Sequence, residues 1–306
     1  MSDRPQSPRP LLALAAVITY YPDFKLEHRV QKLLSQFEEV LIVDNTPGDR
    51  VPDQISVIMN NSNVILLRME KNVGIAAALN EALGYSISHD FDWMGTFDQD
   101  SEVPLNYRER FQEVLMNHSG QDSIAILAPI YSFPDGTVNG FSGKRRNIEG
   151  VYPVDLTMTS GNLVRVSIVD KVGGYDSALF IDYVDFDLCL RLRAQGYTIL
   201  EIKDVVLSHS LGNNLAHRRF LWRKVCVTNH PPLRVYYLVR NRLVLYRRYW
   251  KSAPGFVVLD ICRLLMVFIK IVSYESERRS KLNAFWKGLK DGIHLLLGPL
   301  RPDVTF

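Results

Sequence analysis

Two aspartates separated by one residue, Asp98 and Asp100, follow an apolar stretch with the length and composition of a buried strand. Neighbouring carboxylates repel each other and raise each other's pKa unless a cation lies between them. Mg²⁺ and Mn²⁺ take oxygen ligands, and Mg²⁺ typically binds through one or two carboxylates together with substrate phosphates. The pair therefore predicts a site for a divalent cation and a diphosphate. A solvent-exposed turn after a strand is the alternative.

A second group of carboxylates, Asp182, Asp185 and Asp187, lies within six residues among aromatic and aliphatic side chains. On a helix, Asp182 and Asp185 would share one face. Apolar surroundings can raise the pKa of a carboxylate into the range that suits a general base. The alternative is the first turn of a helix, where the helix dipole favours acidic residues. His209 follows at the end of a predicted strand and is a further candidate ligand.

Alternating strands and helices must position these residues. We predict strands in the segments LALAAVITYYP, EVLIVDN, NVILLRME and FDWMGTFD, and helices in DFKLEHRVQKLLSQF and NVGIAAALNEALGYSIS. This alternation predicts an α/β fold with a mainly parallel central sheet flanked by helices. Ligands of such sheets bind at the carboxyl ends of the strands, which is where Asp44 and Asp98 lie.

The remainder of this half continues the alternation less regularly. SIAILAPIY predicts a strand, residues 133–155 a loop or hairpin, and TSGNLVRVSIVDKVGGYD a turn followed by a strand or helix. FIDYVDFDLCLRLRAQGY predicts a helix that ends at Gly196, because glycine is favoured just after a helix C-terminus. TILEIKDVVLSHS predicts a final pair of strands.

Composition bounds the class of protein. The 306 residues, 47% of them hydrophobic, suffice for one large domain or one domain with an appended piece. Three scattered cysteines, Cys189, Cys226 and Cys262, indicate a reducing compartment rather than a disulfide framework. The apolar run after the polar tail of residues 1–10 is predicted to be the first core strand rather than a signal peptide.

Charge is divided unevenly along the chain. Residues 1–204 carry 18 basic and 28 acidic side chains, whereas residues 205–306 carry 18 basic and 5 acidic ones. The later segment GFVVLDICRLLMVFIKIV is almost wholly apolar, and its charges Asp260, Arg263 and Lys270 fall near one helical stripe. Such a segment is typical of an amphipathic helix on an anionic membrane surface. Packing on the protein or in a dimer interface is the alternative. No nucleic-acid module is recognised, so no nucleic-acid partner is expected.

The chain resembles family 2 glycosyltransferases with the GT-A fold, and within them bacterial rhamnosyltransferases that build surface polysaccharides. The matching segments run in the family's order over about residues 15–250 and are VITYYPD, LIVDNTPGD, KNVGIAAALNEAL, FDQDS, TSGNLV, FIDYVDFDLCLRLRAQGY, LSHSLG and RVYYLVRNRLVLYRRY. Each motif is modest alone and specific in combination. Tyr21 departs from the Asn that relatives often have, and Val184 replaces a further acid found in some relatives.

The resemblance implies a role for each candidate residue. The donor-binding residues would be Thr19 and Asp44 at the base and ribose, Asn72 and Gly74 at the nucleotide, Asp98 at the ribose or sugar, and Asp100 at the metal. Asp185 would be the general base. Ser160, Gly161, Asn162 and Asp187 would lie on the acceptor side. His209 would join Asp100 as a ligand of Mg²⁺ or Mn²⁺ or of the diphosphate.

The resemblance also implies the activity and the partners. We expect an inverting, metal-dependent transfer of a sugar, with dTDP-rhamnose favoured as donor, to a glycan or a polyprenyl-diphosphate-linked acceptor in polysaccharide (O-antigen) biosynthesis. UDP-linked hexose or galactofuranose is an alternative donor, and a D-x-D phosphatase or an inactive membrane-associated scaffold is an alternative function. We expect a catalytic domain over residues 11–212, a basic helical region over residues 213–306, and a cytoplasmic protein at the inner face of the membrane. A homo-oligomer is compatible with the sequence.

Overall fold

The computed structural model describes residues 11–132, 138–141, 150–208, 216–220, 223–301 and 303–306. Within them the chain divides into two compact units. Unit 1 holds the described residues of Met1–Asn72, Ala78–Gly174 and Arg191–His209, and unit 2 those of Val73–Ala77, Tyr175–Leu190 and Ser210–Phe306. Since unit 2 takes in two segments that precede residue 212, the expected domain boundary at that position stays a prediction.

Unit 1 is built on a mixed sheet that contains nine strands in the described ranges. The strands are β1 (Ala13–Thr19), β2 (Glu39–Asp44), β3 (Val64–Arg68), β4 (Trp93–Asp98), β5 (Ile124–Ser132), β6 (Val138–Asn139), β7 (Val151–Pro153), β8 (Asn162–Arg165) and β9 (Thr198–Ser208). Eight of them follow the order β3-β2-β1-β4-β8-β5-β9-β7, and β6 pairs with β5. The pairs among β1 to β4 and the pair of β5 with β9 are parallel. The pairs β4–β8, β5–β6, β5–β8 and β7–β9 are antiparallel. The expected α/β fold is confirmed, and its sheet is parallel over β1 to β4 and mixed beyond them.

Helices of unit 1 flank this sheet. They are α1 (Leu26–Leu34), α2 (Asp53–Ile58), α3 (Ile75–Ser88), α4 (Tyr107–Asn117) and α5 (Val166–Lys171), and the first residues of α3 are grouped with unit 2. The next helix, α6 (Val184–Ala194), belongs to unit 2 as far as Leu190 and to unit 1 from Arg191. Every residue of β1 is buried, because helices on both faces of a parallel sheet leave its central strands without access to water. The rings of Phe37, Phe97 and Tyr107 contact one another within this core.

Three elements differ from the sequence expectations. The predicted final strand pair is one strand, β9, and three extra residues between Ile202 and Val206 shift its register against β5. Such a bulge bends a strand without ending it. The helices α2 and α4 were not predicted. The segment after Gly161 forms both a strand, β8, and a helix, α5, rather than one of the two.

Unit 2 contains a hairpin and three long helices in its described part. They are β10 (Ala216–Phe220), β11 (Arg223–Val227), α7 (Pro232–Tyr249), α8 (Pro254–Ser273) and α9 (Arg278–Ile293). A small apolar core around Tyr236, Val239, Ile271 and Phe285 joins the three helices. Across the described residues, no helix is both long and apolar enough to cross a membrane.

Asp260 of the predicted polar stripe of α8 does not face water as an interfacial helix would require, although Arg263 of the same stripe is exposed. Asp260 is fully buried and accepts hydrogen bonds from Tyr183 and Tyr246. Large apolar side chains of the same helix are exposed instead: Val258, Leu259, Ile261, Leu265 and Val272. The helix therefore has an apolar face on the outside as well as buried apolar residues on the inside.

Candidate active site

The ends of β1 and β2 hold a buried carboxylate in a fixed orientation. Thr19 and Asp44 are register partners, and Thr19 Oγ1 donates to Asp44 Oδ1 over 3.0 Å. The backbone N–H of Thr46 donates to the same oxygen over 3.2 Å. Asp44 Oδ2 accepts no hydrogen bond from the described residues, and Arg68 Nε lies 3.4 Å from it without hydrogen-bond geometry. Because an unsatisfied buried acceptor costs about 1–3 kcal/mol, this oxygen is suited to accept an N–H or O–H from a ligand.

The D-x-D turn lies next to this carboxylate. Asp98, the last residue of β4, is adjacent to Ile18 of β1. Gln99, the middle residue of the motif, bonds to the end of β1 twice: the Tyr20 N–H donates to its side-chain oxygen over 2.8 Å, and its amide donates to the Tyr20 carbonyl over 3.1 Å. Arg29 Nη1 also donates to the Gln99 carbonyl over 2.8 Å. Gln99 thus fixes the turn and the two aspartates on either side of it.

Gln99 was not predicted as a site residue. The two carboxylates predicted metal chemistry, whereas the amide side chain between them predicted none. Its position inside the motif was the available signal, because a residue at the tip of a turn needs a partner if the turn is to hold one shape. Its partners, 70 and 79 residues away in sequence, could not be identified from the motif alone.

The segment Ser160–Asn162 supports the same strand end. Ser160 Oγ accepts a hydrogen bond from the Asp98 N–H over 2.9 Å and lies 2.7 Å from Ser101 Oγ. Gly161 has φ +81°, and a Cβ there would lie 2.8 Å from side-chain atoms of Leu207 and Pro129. Asn162 is buried, and its amide oxygen accepts from Thr157 over 3.2 Å. These contacts place the turn beside Asp98, and its acceptor-side role stays a prediction.

Asn72 and Gly74 fall in different units. Asn72 accepts a hydrogen bond from Asn45 Nδ2 over 3.0 Å, so in unit 1 it is tied to the residue that follows Asp44. Gly74 has φ +84°, and in unit 2 a Cβ at this position would lie 2.6 Å from the Phe180 carbonyl oxygen. Only glycine fits this approach without displacing backbone. Their predicted nucleotide contacts stay predictions.

The three acids of the second cluster have different surroundings in unit 2. Asp182 forms an ion pair with Arg234 at 3.1 Å. Asp187 is fully buried and accepts from Tyr249 over 2.8 Å and from Arg248 over 3.0 Å. Asp185, in the first turn of α6, is partly exposed, and its Oδ1 accepts the Phe186 N–H over 2.9 Å. Of the three, Asp185 combines partial exposure to solvent with a position in the first turn of a helix, where the helix dipole favours acidic residues.

Arg248, the ionised partner of Asp187, forms ion pairs with two acids, Asp176 and Asp187. Burial lowers the pKa of Arg248, but hydrogen bonds and charges from Asp176 and Asp187 outweigh this effect and raise its pKa overall. The guanidinium therefore stays charged, and it neutralises the buried Asp187. This arrangement fits a structural role for Asp187, and its predicted acceptor-side role stays a prediction.

The described residues provide part of a metal site at most. No three His, Cys, Asp or Glu side chains in these ranges lie close enough to hold an ion by themselves. His209, the other predicted ligand, lies outside the described residues. Asp98 and Asp100 are hard oxygen donors on a turn that Gln99 fixes, which suits an ion that takes its remaining ligands from a diphosphate and water.

Comparisons with known proteins show the family of this chain. The family model for Glycosyl transferase family 2 matches residues 17–171. The dTDP-rhamnosyl transferase RfbF of Shigella flexneri is 30% identical over 302 residues, covering 93% of this chain and 96% of that protein. The amylovoran biosynthesis glycosyltransferase AmsE of Erwinia amylovora is 21% identical over 267 residues, covering 83% and 92%.

Solved structures agree on the fold. GalNAc-T7 with UDP, GalNAc and Mn²⁺ has a TM-score of 0.58 at 13% identity; the match covers 81% of this chain but only half of that one. Residues 1–349 of S. aureus TarS in complex with UDP-GlcNAc have a TM-score of 0.56 at 13% identity, covering 93% and 83%. Similarity at this identity shows the fold alone, and it confirms the expected GT-A architecture. Given the family match and the relative of 30% identity along nearly the whole length, the chain belongs to glycosyl transferase family 2.

Proposed function

We propose that this chain transfers L-rhamnose from dTDP-rhamnose to a hydroxyl group of a glycan or of a sugar on a polyprenyl diphosphate, with inversion at the anomeric carbon. The single observation that carries the donor part is the buried Asp44, whose Oδ2 accepts no hydrogen bond from the described residues and which lies beside the D-x-D turn. The choice of sugar rests on the identity with RfbF, which is described as a dTDP-rhamnosyl transferase.

The reaction needs one base. In our proposal the Asp185 carboxylate takes the proton of the acceptor hydroxyl while that oxygen bonds to the anomeric carbon, and the bond from this carbon to the donor's diphosphate oxygen breaks. The nucleoside diphosphate leaves with the bonding electrons. One displacement inverts the anomeric configuration. A retaining glycosidase would instead require two carboxyl groups about 5 Å apart, one of them a nucleophile.

In this proposal Asp100 and His209 would hold Mg²⁺ or Mn²⁺, and Asp98 would contact the ribose or sugar of the donor. The bound ion would stabilise the charge on the departing diphosphate. Asp100→Ala should therefore remove the part of nucleotide affinity that depends on added Mn²⁺. Calorimetric titration of dTDP with and without Mn²⁺ measures this, and an equal affinity of Asp100→Ala and wild type under both conditions would contradict the metal assignment.

The outward face of α8 supports contact with a membrane surface. Five exposed large apolar side chains on one helix are unusual on a protein that meets only water. The exposed Arg263 lies on the same helix, and residues 205–306 are strongly basic, so an anionic lipid surface fits both the apolar side chains and the charge. A lipid-linked acceptor would be presented at such a surface. We therefore place the protein at the periphery of the cytoplasmic membrane.

A panel of nucleotide sugars tests the donor assignment. Donor hydrolysis and binding are measured with dTDP-rhamnose, UDP-N-acetylglucosamine, UDP-galactose and UDP-galactofuranose under one set of conditions. We expect dTDP-rhamnose to bind most tightly and to be hydrolysed fastest. A preference for a UDP sugar would overturn the choice of donor and leave the family assignment intact.

A further inference from the structure

The segment 179–183, which leads into α6, has an unusual backbone. Phe180, Asp182 and Tyr183 have φ values of +67°, +61° and +65°. This left-handed region costs a residue with a side chain about 1–2 kcal/mol. Strain of this kind persists only where surrounding contacts determine the conformation. The segment ends two residues before Asp185, so whatever holds it also sets where α6 begins.

Two consecutive side chains in the middle of α7 hold the backbone of this segment. Arg240 is 1% exposed, and its Nη2 donates to the Leu179 carbonyl over 2.8 Å. Asn241 is fully buried, and its amide nitrogen lies 2.9, 2.7 and 2.9 Å from the carbonyl oxygens of Leu179, Ile181 and Asp182. Polar side chains this deeply buried are rare without such partners.

The third residue of the run, Arg242, acts through a buried carboxylate. Asp260 accepts from Arg242 Nε over 3.1 Å and from the Tyr183 hydroxyl over 2.9 Å. Arg242 Nε also donates to the Tyr183 hydroxyl oxygen. Burial raises the pKa of Tyr183, an effect that Arg242 opposes and Asp260 reinforces, so the hydroxyl stays protonated and can donate. Tyr183 is thereby held through its hydroxyl, and the backbone that precedes it is held by Asn241.

We infer that Arg240, Asn241 and Arg242, with Asp260, are positioning residues that fix the strained segment 179–183 and thereby the start of α6 that presents the Asp185 carboxylate. The inference rests on the proposed role of Asp185 as base. None of the four is proposed to touch the substrate. Loosening the segment would let the carboxylate leave the position in which it can take the acceptor proton, whereas Asp44 and the D-x-D turn would be unchanged.

The test compares two tyrosine hydroxyls with the same kind of partner. Tyr183→Phe removes the hydroxyl that bonds to Asp260. Tyr236→Phe is the matched control, because the Tyr236 hydroxyl donates to the buried Asp291 over 2.8 Å in the same unit. The variant keeps the Tyr236 ring, whose centroid lies 5.6 Å from the Arg240 guanidinium. Asn241→Leu is the stronger variant. Melting temperature, kcat, KM for the acceptor and donor affinity are measured for each protein.

We expect Tyr183→Phe and Tyr236→Phe to lower the melting temperature by similar amounts. Only Tyr183→Phe should lower kcat, by about tenfold, with donor affinity unchanged. In an Asp185→Asn background, Tyr183→Phe should lower the residual rate no further, because the base through which it acts is gone. Wild-type kcat in Tyr183→Phe, or an equal loss in Tyr236→Phe, would overturn the inference.

These outcomes separate the inference from the proposed function. If Asp185→Asn keeps the wild-type rate of transfer, the assignment of the base fails and the positioning inference fails with it. If Asp185→Asn is inactive while folded Tyr183→Phe is fully active, the base assignment stands and the positioning inference alone is wrong. The kcat of Asn241→Leu is compared only if this variant folds. The kcat of Tyr183→Phe by itself decides whether the positioning inference is right.

Discussion

At the scale of single residues, the two oxygens of Asp44 differ in their surroundings. Oδ1 is held by a hydroxyl and a backbone N–H, whereas Oδ2 accepts no hydrogen bond from the described part of the chain. The first pair of contacts orients the carboxylate, and the second oxygen lies 3.4 Å from Arg68 Nε. In our proposal this second oxygen accepts a hydrogen bond from the donor, which would explain why a fully buried acid lies at the end of an apolar strand.

Asp44→Asn tests this account, because it keeps the shape of the side chain and removes its charge. A hydrogen bond to a charged group contributes about 1.5–3 kcal/mol, so we expect affinity for dTDP-rhamnose to fall roughly 10- to 100-fold. Calorimetry measures the dissociation constant. Asp53→Asn is the control, since Asp53 is exposed and forms an ion pair with the exposed Arg50. Unchanged affinity in Asp44→Asn would remove this residue from the donor site.

At the scale of elements, the turn before α7 carries a histidine that resists protonation. Burial, followed by the positive charge of Arg234, lowers the pKa of His230 from 6.5 to about 4. Between these values the unfolded chain binds a proton that the folded chain does not. The free energy of unfolding therefore falls as the pH falls from about 6.5 to about 4.

His230→Asn should remove this part of the pH dependence. The full effect of His230 is bounded at about 3 kcal/mol by the size of the pKa shift. Urea unfolding at a series of pH values between 7 and 4 measures it. His294→Asn, at an exposed histidine of the same unit, should leave the wild-type profile in place. A profile equally steep in His230→Asn and wild type would show that other groups cause the loss.

The exposed face of α8 makes a second prediction at this scale. Wild-type protein should sediment with vesicles that contain phosphatidylglycerol and much less with pure phosphatidylcholine, and added salt should weaken the binding. Leu265→Glu should reduce sedimentation severalfold, because Leu265 is 59% exposed on that face. Val57→Glu is the matched control, at a 53% exposed apolar residue in α2.

Equal sedimentation of the Leu265→Glu and Val57→Glu variants would contradict a role for this face in lipid binding. Light scattering on the same proteins identifies the other occupant of such a face. If wild type forms a dimer in solution that Leu265→Glu dissociates, and does not sediment with vesicles, the face is an interface between two copies of the chain.

At the scale of the whole molecule, the local sequence pattern was sufficient to predict the parallel strands but not the buried polar contacts. The run of buried residues in β1 and the glycine after α6 are local signals, and the structure confirms both; Gly196 has φ +83°, and its N–H bonds back to the Arg193 carbonyl. The inward position of Asp260 was not predictable in this way. Its partner Tyr183 lies 77 residues away, and the helical stripe that Asp260 shares with Arg263 suggested a solvent-facing position.

The candidate site was predictable to a similar extent. The strand ends that carry Thr19, Asp44 and Asp98 are neighbours in the sheet, as the alternation of strands and helices implied. The left-handed backbone at Asp182 and Tyr183 had no signal, because neither residue is glycine and the contacts that stabilise the conformation come from α7. Tertiary contacts decide such positions, and only the structure shows them.

The rate of sugar transfer by Asp185→Asn tests the central claim most directly. Asp182→Asn is the control, because it changes an acid of the same cluster at a left-handed position that asparagine tolerates. We predict that Asp185→Asn lowers kcat by about 10²–10⁴-fold while its affinity for dTDP-rhamnose stays at the wild-type value, and that Asp182→Asn keeps most of the activity. Wild-type turnover in Asp185→Asn would contradict the proposed mechanism.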